Sequence, residues 1–187
     1  MARGSGEGKE KLLESAASLF GKENYGAVTV TMLLDEPGLQ PPTLYYHFGD
    51  KEGLFVAWAE RAFTRIEQVL PRAHGTEDST AELLTKFGQV LLANLALDLR
   101  QFMRDAESLS RNESRQAALT AYANGVYSPL CEILLRGVER QEIQIDRLPF
   151  AAETYLAGLF AAFGAFGEDG ESAAREWAVR FVRGFSA

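Results

Sequence analysis

The chain has 187 residues, a formal net charge of −7, 47% hydrophobic residues and 24% charged residues. This composition is typical of a globular protein of one or two domains and excludes a largely disordered chain. The negative charge argues against a protein that coats nucleic acid without sequence preference, although a compact reading element needs only one suitable face. A single cysteine, Cys131, excludes an intrachain disulfide framework and fits a reducing compartment.

Neither a targeting segment nor a catalytic constellation is visible. The N-terminus lacks the apolar core of a signal peptide, and the uncharged stretch 154–167 is too short to span a bilayer. We therefore expect a cytoplasmic protein without a membrane partner. His47 and His74 are the only histidines, and with one cysteine they form no metal-ligand pattern. We expect no cofactor, no metal and no enzymatic activity.

Apolar residues recur at helical spacing along almost the whole chain, which predicts an all-α fold of about nine helices. The first helix is predicted over residues 9–22, where one face is apolar. Thr29 is placed to cap a short second helix over residues 30–36, which a proline and a glycine then end. A third short helix begins at residues 40–42, where prolines are tolerated in the first turn, and ends at Phe48.

The remaining helices are longer. Asp50 is placed to cap a helix from Lys51 to about Leu70, and the polar residues 72–79 predict a linker. Five further helices are predicted in chain order: one that starts with a capping box at residue 79, one near residues 99–109, a long one near residues 113–141 that Pro129 should kink, and two near residues 149–166 and 171–185.

The second and third helices are separated by a tight, glycine-containing turn over residues 36–39. This spacing is typical of a helix-turn-helix, whose second helix enters the major groove of DNA. Leu44 and Phe48 are four residues apart and face the core, which leaves an outward set of Thr43, Tyr45, Tyr46 and His47. Hydroxyl, phenol and imidazole groups can bond phosphates and base edges. Lys51 and the free N–H groups of the next helix predict a phosphate site, although Lys51 alone could be a solvated charge.

A set of residues within about positions 9–55 forms a combined signature: Phe20, Tyr25, Thr29-Val30, Gly38-Leu39, the run Thr43-Leu44-Tyr45-Tyr46-His47-Phe48, Lys51-Glu52 and Leu54. In this signature the N-terminal part of the sequence resembles the TetR family of bacterial regulators. The C-terminal two-thirds match the family only in the pattern of helices. The resemblance implies a dimeric regulator that binds double-stranded operator DNA, most often a repressor that a small ligand releases.

The resemblance also implies roles for single residues. Thr29 and Lys51 would contact phosphates, and Thr31 joins this DNA-binding set at a position where the family often has a basic residue. Thr43, Tyr45, Tyr46 and His47 would form the DNA face of the recognition helix. A dimer of this kind would bind a palindromic site, because twofold symmetry requires matching half-sites.

The charge of this segment supports a rival interpretation. Residues 1–55 contain five basic and eight acidic side chains, and the positions of Thr31 and Pro41 lack the basic residues that are common in the family. Electrostatic attraction supplies much of the affinity of proteins for DNA. The alternative is therefore a helical ligand-binding or interaction protein whose DNA-binding face is degenerate.

We predict two domains, a helix-turn-helix DNA-binding domain over residues 1–50 and a helical ligand-binding and dimerisation domain over residues 51–187. Aromatic side chains and a methionine on separate helices of the second domain could line an apolar pocket for a small apolar or aromatic effector, or could be plain core. The candidate pocket residues are Phe87, Phe102, Met103, Tyr122, Tyr127 and Tyr155.

The last two predicted helices are candidates for a homodimer interface. The helix over residues 149–166 carries one charge, Glu153, and therefore needs cover on two sides. The final helix has an apolar stripe at i, i+3, i+4 spacing. We expect these helices to pack with those of a second copy as a four-helix bundle, through Leu159, Phe163, Trp177, Phe181 and Phe185.

Overall fold

A computed structural model describes residues 3–70, 77–94, 98–166 and 169–186. All regular structure in these ranges is helical, which confirms the predicted all-α fold. The described ranges contain nine helices when the three consecutive segments over residues 112–139 are counted as one long helix, α7. The helices are α1 (Arg3–Phe20), α2 (Val30–Asp35), α3 (Pro41–Phe48), α4 (Lys51–Val69), α5 (Thr80–Asn94), α6 (Leu99–Ser108), α7 (Asn112–Tyr122, the π-helical turn Ala123–Tyr127, and Ser128–Glu139), α8 (Leu148–Phe166) and α9 (Gly170–Gly184).

The chain divides into two compact units. The first comprises Met1–Phe63 and Ala96–Tyr122, and the second comprises Thr64–Leu95 and Ala123–Ala187. The first unit thus includes α6 and the first segment of α7 in addition to the N-terminal helices. The division at residue 50 made from the sequence stays a prediction, and the predicted linker over residues 72–79 lies mostly outside the described residues.

The core of the first unit contains a cluster of aromatic rings. Phe55 of α4 stacks on Phe102 of α6, with ring centroids 5.7 Å apart, and meets Phe20 of α1 edge-on at 5.2 Å. Trp58 and Phe63 extend this cluster, and both are buried. Aromatic pairs in these geometries add to the stability gained by burial alone. The apolar face of α4 from Phe55 to Phe63 is therefore buried inside this unit.

The core of the second unit is formed by α5, α8 and α9. Tyr155 of α8 is fully buried, and its hydroxyl donates to the carbonyl of Leu84 in α5 at 2.5 Å. The indole N–H of Trp177 in α9 donates to the carbonyl of Tyr155 at 2.8 Å. A Cβ added at Gly158 would overlap the Trp177 ring, so this glycine allows α8 and α9 to approach. No helix in the described ranges has the length and apolar character needed to cross a membrane.

The long helix α7 changes its winding before Pro129. The turn Ala123–Tyr127 is π-helical and precedes the segment in which Pro129 stands near the start. Proline has no N–H to donate to the residue four positions earlier, and its ring crowds that carbonyl. A π turn is one of the ways in which a helix accommodates such a break, and it occurs where the sequence predicted a kink.

Candidate nucleic-acid interface

The turn between α2 and α3 is held by local hydrogen bonds. The Thr29 side chain caps α2 by accepting from the Met32 N–H at 3.2 Å. Gly38 has a φ of +64°, a left-handed conformation that favours glycine, and the Leu39 N–H closes the turn on the Leu34 carbonyl at 3.0 Å. The predicted helix-turn-helix geometry therefore follows from a cap, a glycine and two prolines that begin α3.

The helix α3 buries one face and exposes the other. Leu44 is completely buried, whereas Tyr45 and Tyr46 are 54% and 78% exposed. Thr43 and His47 are half-buried, and the rings of Tyr46 and His47 meet edge-on with centroids 4.9 Å apart. Such a helix packs on the protein through one face and keeps hydrogen-bonding side chains on the other face free to contact a partner.

Two of the three threonines of the predicted set, Thr29 and Thr31, lie at the start of α2, and both are exposed. The Thr29 oxygen accepts the capping bond, so its hydroxyl proton remains available for donation to a phosphate oxygen. Thr31 is two residues further on, in the first turn of the same helix. The structure thus places both hydroxyls on α2, the helix that precedes the exposed face of α3.

Lys51 has a local partner that the sequence did not predict. Its ammonium donates to the carbonyls of Tyr25 and Val28, each at 2.8 Å, and lies 4.0 Å from the centre of the Tyr25 ring. Burial lowers the pKa of Lys51, and the negative charge of Asp105 acts in the opposite direction. Two of the three ammonium donors are therefore engaged in holding the loop before α2, and the predicted phosphate contact stays a prediction.

The loop that Lys51 holds is also fixed by Tyr25. Its ring packs edge-on against Phe55, with centroids 5.2 Å apart. Burial, together with the negative charges of Glu52 and Asp50, raises the pKa of Tyr25 to about 12. The phenol consequently keeps its proton near neutral pH.

The acidic side chains beside α3 are paired with a turn that lies much later in the sequence, and its one guanidinium offsets part of their negative charge. The Arg111 guanidinium bonds both oxygens of Asp50, at 2.8 and 2.9 Å, and its Nε donates to Glu52 at 3.2 Å. The backbone N–H and hydroxyl of Ser110 also donate to Glu52, at 3.1 and 2.7 Å. Burial alone would raise the pKa of Glu52, but these hydrogen bonds outweigh it and lower the pKa to about 2.

Half of the acidic side chains of the N-terminal segment are engaged in ion pairs. Of the eight acidic residues within positions 1–55, four form ion pairs inside the first unit. They are Glu7 with Lys11, Glu10 with Arg61, and Asp50 and Glu52 with Arg111. Sequence reasoning missed Ser110 and Arg111, because no pattern connects residues about 60 positions apart.

The six candidate pocket residues belong to different units. Phe87 and Tyr155 meet in the second unit, with ring centroids 6.0 Å apart, and Tyr127 is half-buried there. Phe102 and Tyr122 meet in the first unit at 6.4 Å, and Met103 is half-buried there. A cleft of about 540 Å³ in the second unit is lined instead by Gln89, Leu92, Ala93, Phe163, Gly170 and Glu171.

The candidate interface residues divide into buried and accessible groups. Leu159 and Phe181 lie in the core of the second unit, while Phe163, Trp177 and Phe185 are half-buried. On α8, Phe150 is 64% exposed, and Ala161 and Gly164 are also exposed. An accessible apolar face of α8 therefore exists, but it is formed by residues other than Leu159.

The N-terminal helices are similar in sequence to known regulatory proteins. A family model described as "Bacterial regulatory proteins, tetR family" matches residues 12–58. The HTH-type transcriptional repressor AcnR of Corynebacterium glutamicum is 34% identical over 62 residues, which span 33% of this chain and 33% of that repressor. The AcnR of Corynebacterium diphtheriae is 25% identical over 161 residues, covering 86% of this chain and 83% of the relative.

The resemblance extends to a solved structure over nearly the whole chain. The TetR family transcriptional regulator PfmR from Thermus thermophilus is 26% identical and superposes with a TM-score of 0.70, covering 92% of this chain and 97% of that one. These relatives are transcriptional regulators and not enzymes.

Proposed function

We propose that this chain is a member of the TetR family of bacterial regulatory proteins and a ligand-responsive transcriptional repressor that binds operator DNA as a homodimer. The observation that carries this proposal is the orientation of α3. This helix follows a tight turn, buries Leu44 and exposes Tyr45 and Tyr46. The similarity to the AcnR repressors of two Corynebacterium species supports repression rather than activation.

In this proposal α3 enters the major groove, and its exposed face contacts base edges and phosphates through Thr43, Tyr45, Tyr46 and His47. Thr29, Thr31 and Lys51 contact the flanking phosphates. The α3 helix contains no basic side chain except His47, so reading of the bases relies on hydroxyl, phenol and methyl groups. The pairing of Asp50 and Glu52 with Arg111 supports the proposal, because the guanidinium offsets part of the negative charge close to α3.

A second copy of the chain would supply the matching recognition helix. The accessible apolar face of α8, with Phe150, Ala161 and Gly164, supports a dimer seam on α8 and α9. Small residues at such a seam let two helices approach closely, and a twofold axis implies a palindromic operator.

Release by an effector would depend on α4, which contributes residues to both compact units. A small apolar or aromatic molecule that favours a different position of this helix would weaken DNA binding. The effector can shift the equilibrium only by the difference between its affinities for the two states. By linkage, operator DNA would weaken effector binding by the same factor, on the order of 5- to 150-fold.

The test uses the purified protein and a DNA duplex that carries the region upstream of the protein's own gene. Binding is measured by fluorescence anisotropy. We expect that duplex to bind at least about a thousandfold more tightly than a scrambled duplex of equal length. Tyr46→Ala should abolish this preference, because Tyr46 is highly exposed and its loss leaves the core intact. Leu135→Ala, an exposed apolar residue of the second unit, is the matched control.

Equal retention of the two duplexes by the wild-type protein would contradict the proposal. It would favour the alternative of a helical ligand-binding or interaction protein with a degenerate DNA-binding face. The observation that keeps this alternative in view is the excess of acidic over basic side chains within residues 1–55.

A further inference from the structure

The position of α3 is tied to the first turn of α4. Only Gly49 and Asp50 separate the two helices, and Gly49 closes α3 by donating its N–H to the Tyr45 carbonyl at 3.0 Å. A Cβ added at Gly53 would overlap the Phe48 carbonyl oxygen, so the end of α3 lies directly against α4. Whatever fixes the first turn of α4 therefore also fixes the recognition helix.

The turn between α6 and α7 holds that first turn of α4. The Arg111 guanidinium engages Asp50 as a two-pronged pair, a geometry that fixes orientation as well as distance. Glu52 is 6% exposed and accepts hydrogen bonds from both the backbone and the side chains of Ser110 and Arg111. A shift of α4 relative to this turn would leave a buried carboxylate without partners, which is strongly unfavourable.

We propose that Arg111 is a positioning residue for operator binding, which acts on α3 through Asp50 and Glu52 without touching DNA. This inference rests on the proposed function. It assigns part of the DNA-reading geometry to a residue that lies about 60 positions beyond the helix-turn-helix and outside the segment that the family model matches.

Arg111 could affect DNA binding through its charge alone, and the structure offers a variant that separates charge from position. Asp50→Asn removes a negative charge close to α3, which by electrostatics should strengthen DNA binding. The same change breaks the two-pronged pair with Arg111 while keeping the cap of α4, because asparagine can also accept from the Gly53 N–H. Opposite outcomes are thus expected from the two explanations.

The experiment measures operator affinity for Arg111→Gln, Asp50→Asn and the double variant, with thermal unfolding to confirm that each is folded. We expect each single variant to bind about tenfold more weakly, and the double variant to lose little more than either one. Arg104→Gln is the matched control: it removes the same charge from the same unit, where the Arg104 guanidinium bonds Gln101 of its own helix. It should bind like the wild type.

A second measurement does not depend on DNA. Hydrogen exchange of the free protein, followed by mass spectrometry, should show faster exchange over residues 41–55 in Arg111→Gln than in Arg104→Gln, with α1 unchanged. Tighter binding by Asp50→Asn would show that Arg111 acts through charge alone and would overturn the inference. So would unchanged exchange over residues 41–55. A wild-type protein that binds no DNA but shows the expected exchange would instead count against the proposed function.

Discussion

The chemistry of a single residue depends on what it touches, and Lys51 illustrates this. The family resemblance gives it a phosphate contact, whereas the structure shows its ammonium bound to the carbonyls of Tyr25 and Val28. The two roles are compatible because the ammonium has three donors. Loss of the loop contact should lower the stability of the protein, whereas loss of the phosphate contact should change the salt dependence of DNA binding.

Lys51→Met keeps the length of the side chain and removes its donors. We expect the free energy of unfolding to fall by about 1–3 kcal/mol, because two carbonyls lose a charged partner. We also expect the slope of log affinity against log salt for operator DNA to decrease by about 1. Lys22→Met changes an exposed lysine just after α1 and is the control for general charge. Lower stability with an unchanged slope would leave Lys51 with the loop contact alone.

Glu52 gives a prediction about pH. Its pKa in the folded protein is about 2, below its ordinary value of 4.5, so its stabilising effect is complete above pH 4.5 and is lost as the pH falls towards 2. Glu52→Gln should lower the free energy of unfolding by about 1–3 kcal/mol near neutral pH. Urea unfolding should show that the gap from the wild type is constant between about pH 6 and 7 and narrows below pH 4.5.

Glu23→Gln, an exposed carboxylate just after α1, is the matched control for this experiment. It should differ little from the wild type at any pH. A gap for Glu52→Gln that stays the same down to pH 3 would mean that the hydrogen bonds from Ser110 and Arg111 do not depend on the ionised carboxylate.

At the scale of elements, the sequence predicted most of the helices but not all of their partners. Helices such as α4 and α9 were visible because their apolar residues repeat at helical spacing. The cap at Thr29 and the turn at Gly38 were visible because each acts locally. The hydrogen bonds from Ser110 and Arg111 to the start of α4 were not visible in the sequence, because contacts between distant positions leave no periodic signal.

The same limit applies to the predicted interface and pocket. Leu159 and Phe181 lie on apolar stripes, which predicts an interface, yet the apolar stripe of a helix can equally well be buried in the core of its own unit. Likewise Phe102 and Phe87 are aromatic residues of helices that belong to different units. Apolar spacing identifies a buried face without identifying what covers it.

The contact between α8 and α9 provides a prediction at this scale. Gly158→Ala places a methyl group where the Trp177 ring lies, and the hydrogen bond from this ring to Tyr155 restricts its movement. We expect destabilisation of about 1–3 kcal/mol from overpacking, measured by urea unfolding with circular dichroism. Gly6→Ala in α1 meets no neighbouring atom and should be neutral or stabilising, because alanine favours the helix. Equal effects of the two substitutions would contradict this packing.

At the scale of the whole molecule, a charge placed on an exposed residue of α8 tests the proposed dimer. A charge at Phe181 would disrupt the core of a single chain, because that side chain is 2% exposed. Ala161 is exposed on α8, so Ala161→Glu should leave the chain folded. If α8 forms the seam, sedimentation should show at least about a hundredfold weaker dimerisation, since a seam buries an unpaired carboxylate. Leu135→Glu, exposed on α7, should leave the dimer unchanged, and a stable Ala161→Glu dimer would move the interface away from this face of α8.

The two tryptophans of the chain lie in different compact units, Trp58 in the first and Trp177 in the second. Each unit therefore carries its own intrinsic fluorophore. Replacing either tryptophan with phenylalanine leaves an emission signal from one unit alone, so the order in which the units melt can be followed optically without a label. Coincident transitions in the two single-tryptophan proteins would mean that the units unfold cooperatively, and separated transitions would give each unit a stability of its own.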